Sequence, residues 1–467
     1  MRFPRLRRSA SACLALAATS ALLLSACGTG GTGAASASEA SAEGTLPELP
    51  TDTVTEIVFE SYNLSGQDMW GDTFQGLIDE FNAENPHIEV TGQGVDSTNS
   101  ASSVSTNTAS SVQQQVLAGN PPDVGQMPFD TMAFSAESLN AANLSAVVGT
   151  DELAEQFGGE YPYNARAKVL ADIDGATYGI PYVFSTPVFW INETLLQEAG
   201  IDPTTMDIST WDSVAELAKQ VTAHTGKPSL SNTCVMTGGN WCMQSMYLSN
   251  GARALSEDRS TIEFGSEAAV DTVDTFKQMY EDGILSNADV ATQYEEFARG
   301  ESIAFHVNTA ALQATYMAGA ESGGWTLNTS TLPQFGDQPS VPTNSGSALV
   351  MYAQDPAKQA AAWEFMKFMT TPEAYEAITT GIGYLPLRDT MTHEGGPLYE
   401  WTEANPLVKS NLEQLQYMEP WVAYPGDQYS EVDRIQYVAI EDSIFNGGDP
   451  ATLLPETAAR AQELIEE

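Results

Sequence analysis

Val54-Thr55-Glu56-Ile57-Val58-Phe59, then Phe74, Leu77, Ile78 and Phe81, then Asn85-Pro86 and His87-Ile88-Glu89-Val90: this stretch decides the fold. The first run is β-branched and aromatic, the composition of a strand. The four apolar residues after it fall at i, i+3, i+4 and i+7, so they line one face of a helix. Asn85-Pro86 ends that helix, and the next run reads as a second strand. Strand, helix, strand opens an α/β domain with a parallel sheet.

Working outward, the pattern recurs. Gly119-Asn120-Pro121-Pro122 is a turn ahead of the short strand Asp123-Val124-Gly125-Gln126-Met127, and Asp174-Gly175 is a turn leading into Tyr178-Gly179-Ile180-Pro181. Asp172 and Asp174 have the flavour of a calcium loop, but the other EF-hand ligands are missing, so a plain turn is expected. Ser209 and Thr210 suit the N-cap of a helix with Trp211, Val214, Leu217, Ala218 and Val221 on one face. Asp355-Pro356 and Thr371-Pro372-Glu373 repeat a start signal with Pro at the first helical position. Trp363, Met366 and Met369 recur every three residues and are expected in the core. The length suits two domains.

The beginning of the chain reads as an export address. Arg2, Arg5, Arg7 and Arg8 precede an apolar stretch ending in Ala21-Leu22-Leu23-Leu24, the layout of a signal peptide. Leu24-Ser25-Ala26-Cys27 resembles a bacterial lipobox, in which Cys27 would be lipidated; an ordinary signal peptide with an incidental cysteine is the alternative. Gly28 to Pro50 is poor in large apolar residues and is expected to be a flexible tether. Its Gly28, Gly30 and Gly33 fit G-x-G-x-x-G, yet no strand precedes and no helix follows, so the dinucleotide reading fails.

With 62 acidic against 18 basic residues, the formal charge is −44. Nucleic acid and anionic membrane surfaces need a basic face and are therefore poor partners. Past Cys13 and Cys27 only Cys234 and Cys242 remain; in an oxidising compartment they are expected to form a disulfide, with a metal site as the weaker alternative. His87, His224, His306 and His393 are scattered without ligand spacing. The sequence contains no G-x-S-x-G, H-E-x-x-H or G-x-x-x-x-G-K-[ST] motif. A glycosidase needs only two well-placed carboxylates, a reading the sequence neither supports nor excludes.

Aromatic and small polar residues instead gather at strand ends and loops: Ser61-Tyr62-Asn63, Phe129-Asp130, Ser185-Thr186, Gly239-Asn240-Trp241, Asn308-Thr309 and Tyr384. Ligands of open parallel sheets bind beyond the carboxyl ends of the strands. Aromatic faces cover the apolar surface of a sugar while amides, hydroxyls and carboxylates pair its hydroxyl groups.

Several segments together resemble the family 1 extracellular solute-binding proteins of ABC importers, which include maltose-type and glycerol-3-phosphate-type members. The resemblance runs through Tyr178 to Tyr182, Ser185 to Asn192, Ala199 to Pro203 and the Thr210-Trp211 helix start. It continues through Gly119 to Val124, Phe297 to Glu301, Trp363 to Phe368 and Gly383-Tyr384-Leu385-Pro386. It implies an α/β, two-lobed periplasmic-binding-protein-like (Venus-flytrap) fold with a ligand cleft between the lobes. Lobe one would be 52–185 plus 310–347, and lobe two 186–308 plus 348–467, with a first crossing and hinge around Pro181–Phe189. Position by position, it points to Ser185 and Thr186 as polar contacts, Trp241 as a stacking platform, and Asn308, Gly346 and Tyr384 as cleft residues. Phe129 and Asp130 stand where relatives present an aromatic–acid pair.

One departure is informative. Glycerol-phosphate relatives place an arginine in the loop before the last helices; here that loop reads Tyr424-Pro425-Gly426-Asp427-Gln428, and Arg434 falls in the next helix. Without a cation the cleft should not favour a phosphate ester, and Asp427 would suit a hydroxyl or a cationic group. The expectation is therefore a monomeric, lipid-anchored protein on the outer face of the cell membrane. It would bind a neutral mono- or oligosaccharide, use no cofactor, catalyse no reaction and serve the transmembrane subunits of an ABC permease. A polyol, phosphodiester or cationic solute on the same fold, or a secreted glycan-processing enzyme, are the alternatives.

Overall fold

The computed structural model describes residues 44–66, 69–95 and 104–466. The expected signal peptide, Cys27 and most of the expected tether lie outside the described residues. Strands β1 (Thr55–Glu60), β2 (Ile88–Gln93), β3 (Val124–Pro128), β4 (Asp172–Ile173), β5 (Ala176–Thr177) and β6 (Gly179–Ser185) come first. They are followed by β7 (Pro187–Asn192), β8 (Leu230–Asn232), β9 (Phe305–Thr309), β10 (Leu327–Ser330) and β11 (Ser345–Met351). One sheet has the order β2-β1-β3-β11-β6, a second β10-β7-β9-β8, and β4-β5 is a small hairpin. Strands β1, β2 and β3 run parallel, whereas β11 runs antiparallel to both β3 and β6.

Local chemistry accounts for these elements. Phe74, Leu77, Ile78 and Phe81 are the buried face of the helix Met69–Glu84, packed over Ile57, Phe59, Ile88 and Val90. Asp123 starts β3 by accepting from Val58 N at 2.9 Å and from Lys358 Nζ at 2.9 Å, which ties strand to strand and to the helix Pro356–Phe368. The helix Trp211–Thr225 is capped by Thr210, whose hydroxyl accepts from Ser213 N, and ends at Gly226 in the left-handed region. Asp174 and Gly175, at φ of 50° and 80°, turn the β4-β5 hairpin. Asp-Gly is the pair that tolerates this mirror-image turn, so Asp172 and Asp174 belong to a plain hairpin.

Each sheet has its own core. Around the first sheet lie Phe59, Tyr182, Trp363, Met366 and Met369 with residues as late as Met418. Around the second lie Phe189, Trp211, Phe305, Leu332 and Phe335, with Ile440 and Leu454 from the C-terminal helices. This corrects the expected lobe boundaries in their discontinuous parts. The helix Gln313–Gly323 and β10 pack on the second sheet, through Tyr316, Ala320 and Trp325, not on the first. Conversely, the segment from β11 through Met418 belongs to the first lobe and only the chain after it to the second. The misassignment has a physical cause: β11 is an antiparallel insertion between β3 and β6, and no local pattern tells which sheet a late strand joins.

The chain passes between the sheets at Thr186, again in the stretch leading into β11, and finally after Met418. The last two passages run side by side: Glu419 N donates to Pro342 O at 3.0 Å, and Trp421 N to Asn344 Oδ1 at 2.8 Å. Thr186 is fully buried and its hydroxyl bonds the side chains of Asn411 and Gln414, at 3.1 and 2.9 Å.

Candidate functional site

A cavity of about 460 Å³ lies between the two sheets, where β1, β3 and β9 end and β11 begins. Tyr62 and Asn63 enter it from the 3-10 turn after β1, held by Ser61, whose hydroxyl accepts from Asn63 N at 3.1 Å. Tyr62 OH donates to Ser347 Oγ at 3.1 Å, and Gln126 Nε2 donates to the same oxygen at 2.8 Å. Tyr384 closes this side, its ring edge-on to Trp70 at 5.2 Å. Burial raises the phenols of both Tyr62 and Tyr384 above the ordinary range, so they are neutral hydrogen-bonding groups.

Gly346 brings bare backbone to the wall. Its φ is +123°, and a Cβ there would sit 1.9 Å from Val183 O, at a register shift between β11 and β6. Only glycine fits that geometry.

From the second sheet comes Asn308. Its Nδ2 donates to His306 Nε2 at 3.1 Å, and Tyr316 OH lies 2.9 Å from the same nitrogen. These two donors leave the proton on Nδ1, which faces Ser231 Oγ at 2.6 Å; that tautomer is assigned from the network. Burial lowers the His306 pKa to about 3, so the ring is neutral and acts as a fixed acceptor aiming Asn308. The depressed value sets a pH dependence. Between pH 6.5 and about 3 the unfolded chain takes up a proton that the folded ring refuses, so this contribution to stability is whole above 6.5 and is lost as pH falls. Urea midpoints measured across this range are expected to fall with pH, and His306→Gln should flatten that slope.

Trp241 and Asn240 begin the helix Asn240–Ser249, behind a loop fastened by the Cys234–Cys242 disulfide with Cα atoms 5.1 Å apart. Gly239 must be glycine, because a Cβ there would lie 2.2 Å from Thr233 O. The closed loop therefore positions two cavity residues. Replacing both cysteines by serine is expected to cost about 2–3 kcal/mol in urea unfolding.

Asp130 follows β3 through a single residue and faces the cavity; Asn240 Nδ2 donates to its Oδ2 at 3.4 Å across the lobes. Burial pushes its pKa up to about 7, and burial with the nearby Asp130 charge pushes Asp433 up to about 8.

Eight of the sequence candidates thus line one cavity: Tyr62, Asn63, Asp130, Ser185, Trp241, Asn308, Gly346 and Tyr384. Three do not. Phe129 is 3% exposed and packs into the core with Met127 and Met132, because the turn after β3 rotates it to the opposite side from Asp130. Thr186 is consumed by the crossing, and Asp427 sits on an exposed rim where it accepts from Ser138 Oγ at 2.7 Å. Arg434 lies within the helix Tyr429–Phe445 and pairs outward with Glu431 at 2.6 Å. Among the described residues no basic side chain lines the cavity and no group of metal-ligating side chains occurs. The sequence reading missed Trp70, Tyr294 and Trp421, which also line it. Trp70 and Tyr294 belong to helices, and nothing in their spacing separates a cavity face from a core face.

The fold is shared with solved structures. The glycerophosphocholine complex of UgpB from Mycobacterium tuberculosis superposes with a TM-score of 0.74 at 20% identity, over 88% of this chain and 98% of that one. The cyclic alpha-maltosyl-1,6-maltose binding protein of Arthrobacter globiformis gives 0.71 at 18%, over 88% and 99%. A 68-residue stretch is 40% identical to the arabinooligosaccharide-binding protein of Halalkalibacterium halodurans, covering 15% of this chain and only 14% of that protein's length. Among the described residues no helix is long and apolar enough to cross a membrane. Residues 76–409 match the family described as bacterial extracellular solute-binding protein, and the two-lobed α/β fold is that of such proteins. The chain belongs to the bacterial extracellular solute-binding proteins.

Proposed function

We propose that this protein captures a mono- or oligosaccharide between its lobes and delivers it to the membrane subunits of an ABC importer, held at the cell surface by a lipid on Cys27. The observation that carries the reading is the lining: aromatic rings of Trp70, Trp241, Trp421 and Tyr384 beside amides, hydroxyls and one carboxylate. Rings cover the C–H faces of a pyranose, and the polar groups pair its hydroxyls. The saccharides named for the Arthrobacter and Halalkalibacterium proteins are in keeping with it. The phosphodiester held by the Mycobacterium protein is the other precedent, but a phosphate would enter a wall that, among the described residues, has no basic side chain and already carries an acid.

Lobe closure would shift an open–closed equilibrium by as much as the ligand prefers the closed form. Asn240 to Asp130 and Ser138 to Asp427 are contacts between lobes that such closure would make and break. The test is calorimetric titration with candidate saccharides, followed by chromatography of the mixture. Saturation at one ligand per chain with the sugar recovered intact is the expected result. Conversion of a glycan by catalytic amounts of protein would establish an enzyme instead.

A further inference from the structure

Two carboxylates line one recess at an end of the cavity, with no cation among the residues described around it. Asp130 comes from the first lobe and Asp433 from the helix Tyr429–Phe445 of the second. With Asn240, Gln244, Trp421 and Tyr429 they line a recess of about 10 Å³. Asp130, Asn240 and Trp421 also line the main cavity, so the recess is its side chamber. Asn240's amide favours the charged form of both acids, yet Asp130 Oδ1 is buried with no hydrogen-bond partner among the described residues. Among the described residues neither acid forms an ion pair. Arg259, which reaches the same wall, donates Nη2 to the carbonyl of Ala423 at 3.2 Å.

A second, independent group in the main cavity is also incomplete. Asn63 is 3% exposed, and among the described residues neither Nδ2 nor Oδ1 of its side chain has a partner. A buried amide left unpaired costs about 1–3 kcal/mol. A ligand that hydrogen-bonds at Asn63 and brings donors with a positive charge to Asp130 and Asp433 would complete both groups.

We propose that the ligand is an amino-substituted saccharide whose primary ammonium group sits in the recess between Asp130 and Asp433. The inference rests on the saccharide reading and sharpens it. An –NH₃⁺ group offers three donors, enough for both acids and the Asn240 or Gln244 carbonyl oxygen. It is about the size of a water, and a recess of about 10 Å³ holds about one water-sized sphere; a trimethylammonium group would not fit. The Trp421 and Tyr429 rings beside it suit a cation. With no cation, burial holds Asp130 near 7, and burial with repulsion from Asp130 holds Asp433 near 8, so the empty site retains protons that an ammonium ion would displace. A neutral hydroxyl gives no such compensation. The formal charge of −44 attracts any cation at long range, so the test must separate that from a built subsite.

The experiment is calorimetric titration of the full chain at about pH 6.5, below the amine range, where the probe's amine is charged and its binding releases the protons that the empty site retains. The probes are twins: glucosamine against glucose, galactosamine against galactose, and chitosan disaccharide against cellobiose. At least one amino probe should bind about tenfold tighter than its hydroxyl twin, the worth of one charge-assisted hydrogen bond. Asp433→Asn, which keeps the shape and removes one charge, should make the twins bind alike, and Asp130→Asn should do the same. Glu431→Gln removes an acid from the outer face of the same helix and should leave the preference intact. Asp433→Asn should also raise the melting temperature of the ligand-free protein at pH 9, which reports that it folds. Equal binding of the twins, or a preference that survives in both asparagine variants, overturns the ammonium subsite and leaves the saccharide reading standing. Binding of no saccharide in either form overturns both.

Discussion

Gly346→Ala is expected to destabilise the protein by about 3–4 kcal/mol, the sum of a non-glycine residue held at an unfavourable positive φ and an overpacked contact. The added methyl group would have to occupy a point 1.9 Å from the carbonyl oxygen of Val183. Neither partner can yield cheaply, because both are backbone within the sheet and β11 is held on its other side by β3. The relief available is separation of β11 from β6 at the register shift, beside the crossing at Ser185–Pro187. The same change would reshape the cavity wall. A urea midpoint that falls together with ligand affinity is the predicted result; an unchanged midpoint would show that β11 does not approach β6 as described.

The second large effect is on binding alone. Trp241→Ala should weaken the saccharide by about a hundredfold, the loss of a buried aromatic anchor. Trp241 is partly buried, with one part of the ring against the hydrophobic clusters of both lobes and another on the cavity. Its position is set by the disulfide-closed loop and by Thr343, whose hydroxyl donates to the Trp241 carbonyl at 2.6 Å. Trp241→Phe should recover most of the affinity, since a stacking face remains. If alanine and phenylalanine lose affinity equally, the ring acts by packing the lobes and not by touching the ligand.

Much of the fold was legible because it is written in short-range chemistry. The helix Met69–Glu84 buries the four residues its spacing named, and the proline-marked starts at Asp355 and Thr371 each show the side-chain cap that such residues supply. Lobe membership was not legible after residue 310. Strand β11 is a buried apolar run with a glycine, equally suited to either sheet, and only its three-dimensional neighbours decide. The same limit applies to the site. Tyr62, Asn63 and Asp130 come just after strands and Asn308 is the next-to-last residue of β9, so strand-end position finds them. Trp421 and Asp433 reach the cavity or its recess from a crossing segment and a long helix, where sequence shows only another aromatic and another acid. Phe129 and Asp130 illustrate the finest scale: adjacent residues leave a turn on opposite sides, and one enters the core while its neighbour faces the cavity.

The most direct test of a saccharide-binding cleft is a thermal-shift screen of the purified protein against sugars, amino sugars, polyols and phosphodiesters. A ligand that binds only the folded state stabilises it by about 2.7 kcal/mol at a hundred times its dissociation constant. The account predicts a concentration-dependent rise in melting temperature with a saccharide, lost in Trp241→Ala. A rise with a phosphodiester and none with any saccharide would contradict it, because that ligand would then be held by a cavity wall that has no basic side chain among the described residues.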